Sequence, residues 1–291
     1  MSAPATGVAA FLEAVYRRFH SLAHVAQDPI RVPRRFHATP DREVMAFVAS
    51  AFAFGRVATF LRVLDSLAER VGPSPAATLA GAGSDAIAAM ADGFGHRFAR
   101  PAHVAALLAA MGRMVREDGG LRPAFDAGFR RSGDVVDGLA SLSEAVRAAA
   151  PAPGPGFLVA TVSPANPAKR LNLFLRWMVR DDGLDLGDWR DVGAHRLLVP
   201  LDVHVARTAR RLGLLPARKS GPRLADARAL AEALRAFDPA DPVRFDFALS
   251  HLGISGECRG RPGDAACGRC AVAGECRARD LNPDDLAVRG F

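Results

Sequence analysis

The sequence predicts an all-α protein. Ala, Leu and Arg dominate its 291 residues, apolar residues recur at helical spacing, and no stretch shows the alternating pattern of a strand. Apolar residues make up 49% and charged residues 24%, values typical of a globular chain with an ample core. The length accommodates one large domain or two of ordinary size.

The predicted helices follow one another along most of the chain. One helix is predicted to start with Thr39 as its N-cap and Pro40 in its first turn. Its run Val44–Phe54 is apolar on all sides, so this helix should be central and buried. Phe157–Val162 reads as a short helix, followed by a tight turn and a second helix that begins near Ala168. The remaining predicted helices cover residues 11–24, 60–72, 102–116, 135–149, 203–212, 224–236 and 243–252, with shorter ones between 73 and 101.

The clearest helix start lies within residues 198–207. Pro200 ends the preceding segment, Asp202 takes the N-cap position, and apolar residues recur at helical spacing from Val203 to Leu212. Taken alone, this stretch is a capped amphipathic helix with one packed face and one basic face. The basic residues off the apolar stripe are Arg207, Arg210 and Arg211.

The charge and the termini narrow the functional classes. The net charge of +7 favours a polyanionic partner. Only Lys169 and Lys219 are lysines among 38 basic residues, so a mechanism that needs an amine has two side chains to choose from. No targeting signal is visible, and the near-apolar run Val44–Phe54 is too short to span a bilayer. We therefore expect a cytoplasmic protein, in which clustered cysteines bind metal rather than form disulfides.

All four cysteines fall within nineteen residues, in the pattern C-x8-C-x2-C-x5-C. Four thiolates suit a tetrahedral zinc ion or an iron–sulfur cluster, and the spacing alone leaves that choice open. An architectural role is favoured over redox catalysis. The predicted ligands are Cys258, Cys267, Cys270 and Cys276.

The cysteine segment carries a resemblance to a known family. Residues 267–276 read CGRCAVAGEC. They resemble the second half of the C-terminal iron–sulfur loop, C-x6-C-x2-C-x5-C, of the endonuclease III and adenine-glycosylase branches of the helix-hairpin-helix DNA glycosylase superfamily. The first spacer is two residues longer here. The resemblance implies a [4Fe-4S] cluster rather than a structural zinc ion.

Two further segments carry the same resemblance. Residues 201–207 read LDVHVAR, similar to the V-D-x-H-V-x-R context in which the catalytic aspartate of the family opens a helix. Residues 163–171 read SPANPAKRL and align without a gap with the family hairpin L-P-G-V-G-x-K-T-A, with Ala165 and Pro167 in place of two glycines. The resemblance implies that Asp202 and Lys169 are catalytic.

The departures from endonuclease III point towards one branch of the superfamily. The spacing of 33 residues from Lys169 to Asp202 and the altered hairpin are similar to the archaeal 8-oxoguanine glycosylase branch. The segment RWMVR at residues 176–180 resembles an uncharacterised bacterial family near that branch.

The implied chemistry suits these residue types. Cleavage of an N-glycosidic bond builds positive charge on the sugar, which a carboxylate such as Asp202 stabilises electrostatically. A neutral amine of Lys169 can attack C1′ and form a Schiff base that permits β-elimination of the 3′ phosphate, the AP-lyase step. Simpler roles stay open, since Asp202 can merely cap its helix and Lys169 can merely contact phosphate.

Further candidates belong to DNA contact and base recognition. The predicted DNA-binding residues are Arg170, His204, Arg207 and Lys219. The candidates for a base pocket are Phe52, Phe54, Trp177 and Asp246. Phe52 stands where related enzymes often insert a Gln into the duplex. Aromatic residues at helical spacing are also typical of a core, and an acidic residue such as Asp246 can serve at a surface or as a cap.

The resemblance implies a two-domain fold with a cleft between the domains. A six-helix barrel is predicted at residues 41–190, ending in the hairpin, and a second helical domain at residues 1–40 plus 191–291, which carries the cluster loop. The implied function is a DNA glycosylase with AP-lyase activity that excises a damaged base such as 8-oxoguanine. A monofunctional glycosylase and a non-catalytic iron–sulfur DNA-binding protein stay open. The expected partner is double-stranded DNA with a damaged base or abasic site, bound by a monomer at the bacterial nucleoid.

Overall fold

The computed structural model describes residues 6–216, 220–255, 258 and 267–269. In these ranges every regular secondary-structure element is a helix. The one β-type contact there is an isolated bridge between His96 and Ala99. The all-α prediction is therefore confirmed. The α-helices are α1 (Thr6–Phe19), α2 (Leu22–Val25), α3 (Thr39–Ala51), α4 (Val57–Val71), α5 (Pro75–Gly81), α6 (Ser84–Ala91), α7 (Pro101–Asp118), α8 (Arg122–Ser132), α9 (Val135–Ala149), α10 (Lys169–Val179), α11 (Val203–Arg211), α12 (Leu224–Arg235) and α13 (Asp246–Ile254).

The chain divides into two compact units. The terminal unit comprises Met1–His24, Ser163–Lys169 and Leu197–Phe291, and the central unit comprises Val25–Val162 and Arg170–Arg196. The sequence placed the corresponding limits at residues 41 and 190 and assigned the hairpin to the central barrel. The barrel architecture and the glycosylase domain organisation stay predictions.

Helix α3 organises the central unit through its buried face and two buried acids. Its residues from Glu43 to Ala51 are buried, which confirms the predicted central position. Asp41 accepts the backbone N–H of Ala76 at 2.8 Å through Oδ1 and so caps α5. Glu43 accepts the backbone N–H of Leu121 at 2.7 Å and the indole N–H of Trp189 at 3.1 Å. Burial raises the pKa of Glu43, although these two donors oppose the shift.

The RWMVR segment forms a buried ion-pair network. Arg176 and Arg180 each contact the carboxylate of Asp185, at 3.1 and 2.6 Å, and Arg180 also lies 2.8 Å from Asp182. The loop that supplies these carboxylates donates to the end of α10, from Trp189 N–H to the carbonyl of Met178 at 2.6 Å. Burial raises the pKa of Asp185, and the two guanidinium charges oppose that shift. The segment therefore stabilises the central unit by fixing residues 181–189 on α10.

Helices α8 and α9 form the most extensive helix pair of the central unit. Their backbones approach closely at Gly128, where a Cβ atom would meet the carbonyl oxygen of Asp137 at 2.1 Å. Helix α8 was not predicted, because its sequence is polar and only Phe125 and Gly128 are buried. Pro123 in its first turn and Gly133 after its end, with φ +73°, were the available signals.

The predicted helix over Phe157–Val162 is wrong. Only the short 3-10 turn Gly156–Leu158 forms there, and the chain then runs without regular structure to residue 163. The β-branched residues Val159, Thr161 and Val162 disfavour a helix, and Pro164 restricts the residue before it to extended conformations. The predicted second helix does form, as α10.

In the terminal unit α13 packs against both α1 and α11. Leu12 and Val15 of α1 and Val205 of α11 are fully buried. His251 of α13 is buried as well, and its ring lies 3.0 Å from the carbonyl of Phe247 and 3.2 Å from that of His24. This packing holds the start of α11, and thus Asp202, on a fixed support.

Among the helices of the described part of the chain, none is both long and apolar enough to cross a bilayer.

Candidate active site at two helix starts

Polar side chains close the turn in residues 163–169. The glycosylase hairpin that this segment resembles has glycines there. Asn166 donates from its backbone N–H to the carbonyl of Ser163 at 3.3 Å and from Nδ2 to Oγ of Ser163 at 3.1 Å. Its Oδ1 accepts the backbone N–H of Ala168 at 2.9 Å, a turn closed by an Asn side chain. Ala168 has φ +48°, the left-handed conformation. The chain therefore turns immediately before Lys169, although Ala165 and Pro167 stand where the glycosylase hairpin that the segment resembles has glycines.

Lys169 is the first residue of α10 and is half-buried. It belongs to the terminal unit, whereas the helix continues in the central unit from Arg170. Its side chain therefore starts at the junction between the turn that ends at Ala168 and the first turn of α10.

Asp202 is the N-cap of α11, as predicted. Its Oδ1 atom accepts the backbone N–H groups of His204 at 2.8 Å and Val205 at 2.9 Å. No donor in the described part of the chain contacts Oδ2. The carboxylate is half-buried, and its Oδ1 atom is held by the start of the helix.

The first turn of α11 exposes more surface than its sequence pattern predicts. Val203, expected on the packed face, is 58% exposed, and His204 beside it is exposed. His204 accepts a hydrogen bond at Nδ1 from the half-buried Arg207, at 3.0 Å. Arg210 and Arg211, expected on the exposed basic face, are buried. The packed face is therefore rotated, and the surface beside Asp202 carries Val203, His204 and Arg207.

The structure gathers part of the predicted site in one unit. Lys169, Asp202, His204, Arg207 and Asp246 all belong to the terminal unit. Asp246 is fully buried at the first residue of α13, and its role in a base pocket stays a prediction. The predicted DNA contact Lys219 lies outside the described residues.

Arg170 lies in the central unit with its donors engaged. Its guanidinium donates to the carbonyls of Ala51 at 2.6 Å, Leu158 at 3.1 Å and Phe157 at 2.6 Å. It also covers the rings of Phe54 at 5.2 Å and Phe157 at 4.6 Å. Burial lowers the pKa of Arg170 to about 10, so the group is still charged at neutral pH. As placed, it joins two loops, and its contact with DNA stays a prediction.

The aromatic candidates for a base pocket also lie in the central unit. Phe52 and Trp177 are fully buried, and Phe54 is half-buried. The ring centroid of Phe54 lies 4.6 Å from that of His96 and 4.9 Å from that of Phe157. Stacking of these rings on a nucleobase stays a prediction.

Two of the four predicted cluster ligands are described. Cys258 is half-buried, and its backbone N–H donates to the carbonyl of Leu252 near the end of α13 at 3.1 Å. Cys267 opens the 3-10 turn Cys267–Arg269. Cys270 and Cys276 lie outside the described residues, so the cluster assignment stays a prediction. The thiolates would supply the all-sulfur ligand set that an iron–sulfur cluster uses.

The fold and the site define an all-helical protein with a carboxylate and an amine at two helix starts of one unit. A family model described as "Protein of unknown function (DUF2400)" matches residues 28–255, and the chain belongs to that family. No curated protein matches the chain. The matched range contains Lys169 and Asp202 and ends before Cys258.

Two exposed aromatic residues of the central unit were not among the predicted site residues. Phe98 is 62% exposed and Phe157 is 47% exposed, and their ring centroids lie 5.3 Å apart. The available signal was their setting, since Phe98 follows Arg97, Phe157 follows Pro155 and Gly156, and each lies in a stretch without Asp or Glu.

Proposed function

We propose that the chain is a DNA N-glycosylase with AP-lyase activity, acting on a damaged base such as oxidised guanine. The observation that carries this proposal is the divided carboxylate of Asp202, with Oδ1 bound by the start of α11 and Oδ2 without a donor in the described part of the chain. A carboxylate anchored in this way can face the positive charge that develops on a sugar during base loss.

Lys169 would act as the nucleophile. Its Nζ attacks C1′ while the bond from C1′ to the base breaks, and the base leaves with the bonding electrons and takes up a proton. The sugar then opens to an imine between Nζ and C1′. Loss of a C2′ proton expels the 3′ phosphate, and water hydrolyses the imine to restore the amine. Asp202 would carry protons between these steps.

Three observations support the assignment. Lys169 and Asp202 belong to the same unit, each at a helix start. The turn before Lys169 reverses the chain, as a hairpin in this register requires. The net charge of +7 suits a polyanionic substrate. The two-domain glycosylase fold and the [4Fe-4S] loop belong to the same proposal.

Borohydride trapping tests the proposal, because reduction of the imine links protein and DNA permanently. The intact chain, mixed with abasic or 8-oxoguanine duplex and borohydride, should give a covalent adduct. Lys169→Gln should abolish the adduct. Lys219→Gln is the matched control, since it removes the only other lysine. It should still form the adduct, with a lower yield where the predicted contact of Lys219 with DNA is lost.

The outcomes separate the alternatives. An adduct that survives Lys169→Gln would move the nucleophile elsewhere. Base release without an adduct, with strands that break only after alkali treatment, would leave a monofunctional glycosylase. Neither base release nor an adduct on any duplex of a panel of damaged bases would remove the enzymatic proposal.

A further inference from the structure

The central unit carries an aromatic–arginine patch, made of Phe54, Phe98, Phe157, Arg97 and Arg170. Phe98 and Phe157 are strongly exposed, whereas most phenylalanines of the described chain are buried. The three rings are contiguous, because the centroid of Phe157 lies 4.9 Å from that of Phe54 and 5.3 Å from that of Phe98. Exposed aromatic clusters of this kind mark binding surfaces more often than isolated exposed rings do.

The patch is held in place by its own contacts. Arg97 lies 5.4 Å from the ring centroid of Phe98, and Arg170 lies 4.6 Å from that of Phe157. Arg97 has φ +54°, a conformation rarely adopted outside Gly, Asn and Asp. Gly55 leaves room for it, because a Cβ there would meet Cδ of Arg97 at 3.0 Å. The His96 ring nitrogen Nε2 lies 2.6 Å from the carbonyl of Phe54 and ties the two loops together.

The chain segments that supply the patch carry arginine residues and no acidic residue. Its residues come from three stretches, 44–64, 93–116 and 145–180, and none of these contains Asp or Glu. The exposed Arg56, Arg97 and Arg100 flank the rings in the chain. Helix α7 begins at Pro101, directly after Arg100, so the positive end of its helix dipole lies beside Arg100. The patch therefore pairs aromatic faces with groups that attract phosphate.

We propose that the aromatic–arginine patch is a stacking platform for unpaired nucleobases, so that the chain binds single-stranded DNA in preference to intact duplex. The inference rests on the proposed function for its choice of DNA as the ligand, and it deepens that function by naming the form of DNA that the chain prefers. Every base offers a face to an aromatic ring, whereas the bases of an intact duplex are stacked on one another. An apolar peptide is a poorer match, because it would bury the surrounding guanidinium groups without partners.

Equilibrium binding of the intact chain to undamaged DNA tests this inference. Fluorescence anisotropy would compare a labelled single strand, the duplex of the same length, and a strand of the same length in which tetrahydrofuran replaces every nucleoside sugar and base. The single strand should bind most tightly. The base-free strand keeps the phosphates, so its deficit measures stacking alone.

The variants are Phe98→Ala and the double variant Phe98→Ala/Phe157→Ala. Each should weaken single-strand binding by roughly fivefold to a hundredfold per stacked base and leave binding to the base-free strand unchanged. Leu22→Ala is the matched control, because Leu22 is also 62% exposed but lies in the terminal unit. Arg97→Gln should instead weaken the binding of all three DNA ligands and reduce the salt dependence of that binding.

Equal or tighter binding of the duplex would overturn the inference, and so would single-strand binding that survives the double variant. If the molar mass of the chain also falls in the double variant while DNA binding is unchanged, the patch is a contact between copies of the chain. Phe98→Ala alone decides the case if the double variant unfolds, since the Phe98 side chain is mostly exposed.

Trapping and binding fail independently. A borohydride adduct with no loss of binding in the Phe variants would refute the platform alone. Preferential single-strand binding that depends on Phe98, without any adduct or base release, would refute the glycosylase alone.

Discussion

The Oδ1 atom of Asp202 accepts the backbone N–H of Val205 at 2.9 Å and so closes the first turn of α11. The same atom accepts the N–H of His204, which leaves Oδ2 without a donor in the described part of the chain. A capping role and a chemical role are therefore compatible in one carboxylate, because each uses a different oxygen.

Asp202→Asn and Asp202→Ala separate these two roles. Asn caps helices about as well as Asp, so Asp202→Asn should change the free energy of unfolding by less than about 0.5 kcal/mol, whereas Asp202→Ala should lower it by roughly 1 kcal/mol. Both variants should slow base release by about a hundredfold or more, because each removes the negative charge. Urea unfolding and single-turnover base release measure the two effects. A fully active Asp202→Asn variant would show that the charge is not needed.

The buried Glu43 should make stability depend on pH. Its pKa lies above the ordinary 4.5 in the folded chain, mainly through burial, so the folded state binds more protons than the unfolded state above that pH. Stability conferred by protonated Glu43 is therefore lost as pH rises through the folded pKa. The parent should therefore lose stability relative to Glu43→Gln as pH rises. The unfolding free energy of Glu43→Gln minus that of the parent should increase from about pH 4.5 upwards, by at most about 1.4 kcal/mol per pH unit, and then level off.

Glu43→Gln also loses a hydrogen bond, because one amide donor must face either the Leu121 N–H or the Trp189 indole. That cost is constant with pH and does not mask the trend. Glu144→Gln, at an exposed position of α9, controls for the change in net charge. A difference that stays flat across the acid range would contradict the raised pKa of Glu43.

Asp185→Asn should destabilise the central unit strongly. The variant leaves Arg176 and Arg180 buried with less negative charge, and breaking a buried pair in this way costs about 3–5 kcal/mol. Asp191→Asn is the matched control, since Asp191 also binds an arginine, Arg122 at 2.7 Å, but its side chain is 69% exposed. The control should lose less than about 1 kcal/mol. Equal losses in urea unfolding would show that burial does not govern these pairs.

The four-cysteine loop should carry iron and acid-labile sulfide after anaerobic purification, about four of each per chain, with visible absorbance. Cys267→Ala should lose the cluster, because a [4Fe-4S] cluster of this type needs all four thiolates. Metal analysis and absorbance measure the outcome. A colourless chain with about one zinc ion would instead show a tetrahedral zinc site.

Local sequence patterns predicted much of the helical framework. The N-cap at Asp202 and the burial of α3 were predictable, because a capping side chain and an apolar run act over a few residues. Helix α8 was missed because its sequence is polar and offers only Phe125 and Gly128 to the core. The turn before Lys169 was predicted, but its closure by the Asn166 side chain in place of glycines was not.

The sequence by itself determined the all-helical class and the capped start of α11. It also determined that Lys169 and Asp202 align with two motifs of the glycosylase superfamily that the chain resembles. Only the tertiary structure decided which side chains face water. It buries Arg210 and Arg211, exposes Val203, and brings Phe98 and Phe157 together on one surface although 59 residues separate them in the chain. The physical reason is that exposure depends on which distant segment packs against a residue, and local periodicity does not contain that information.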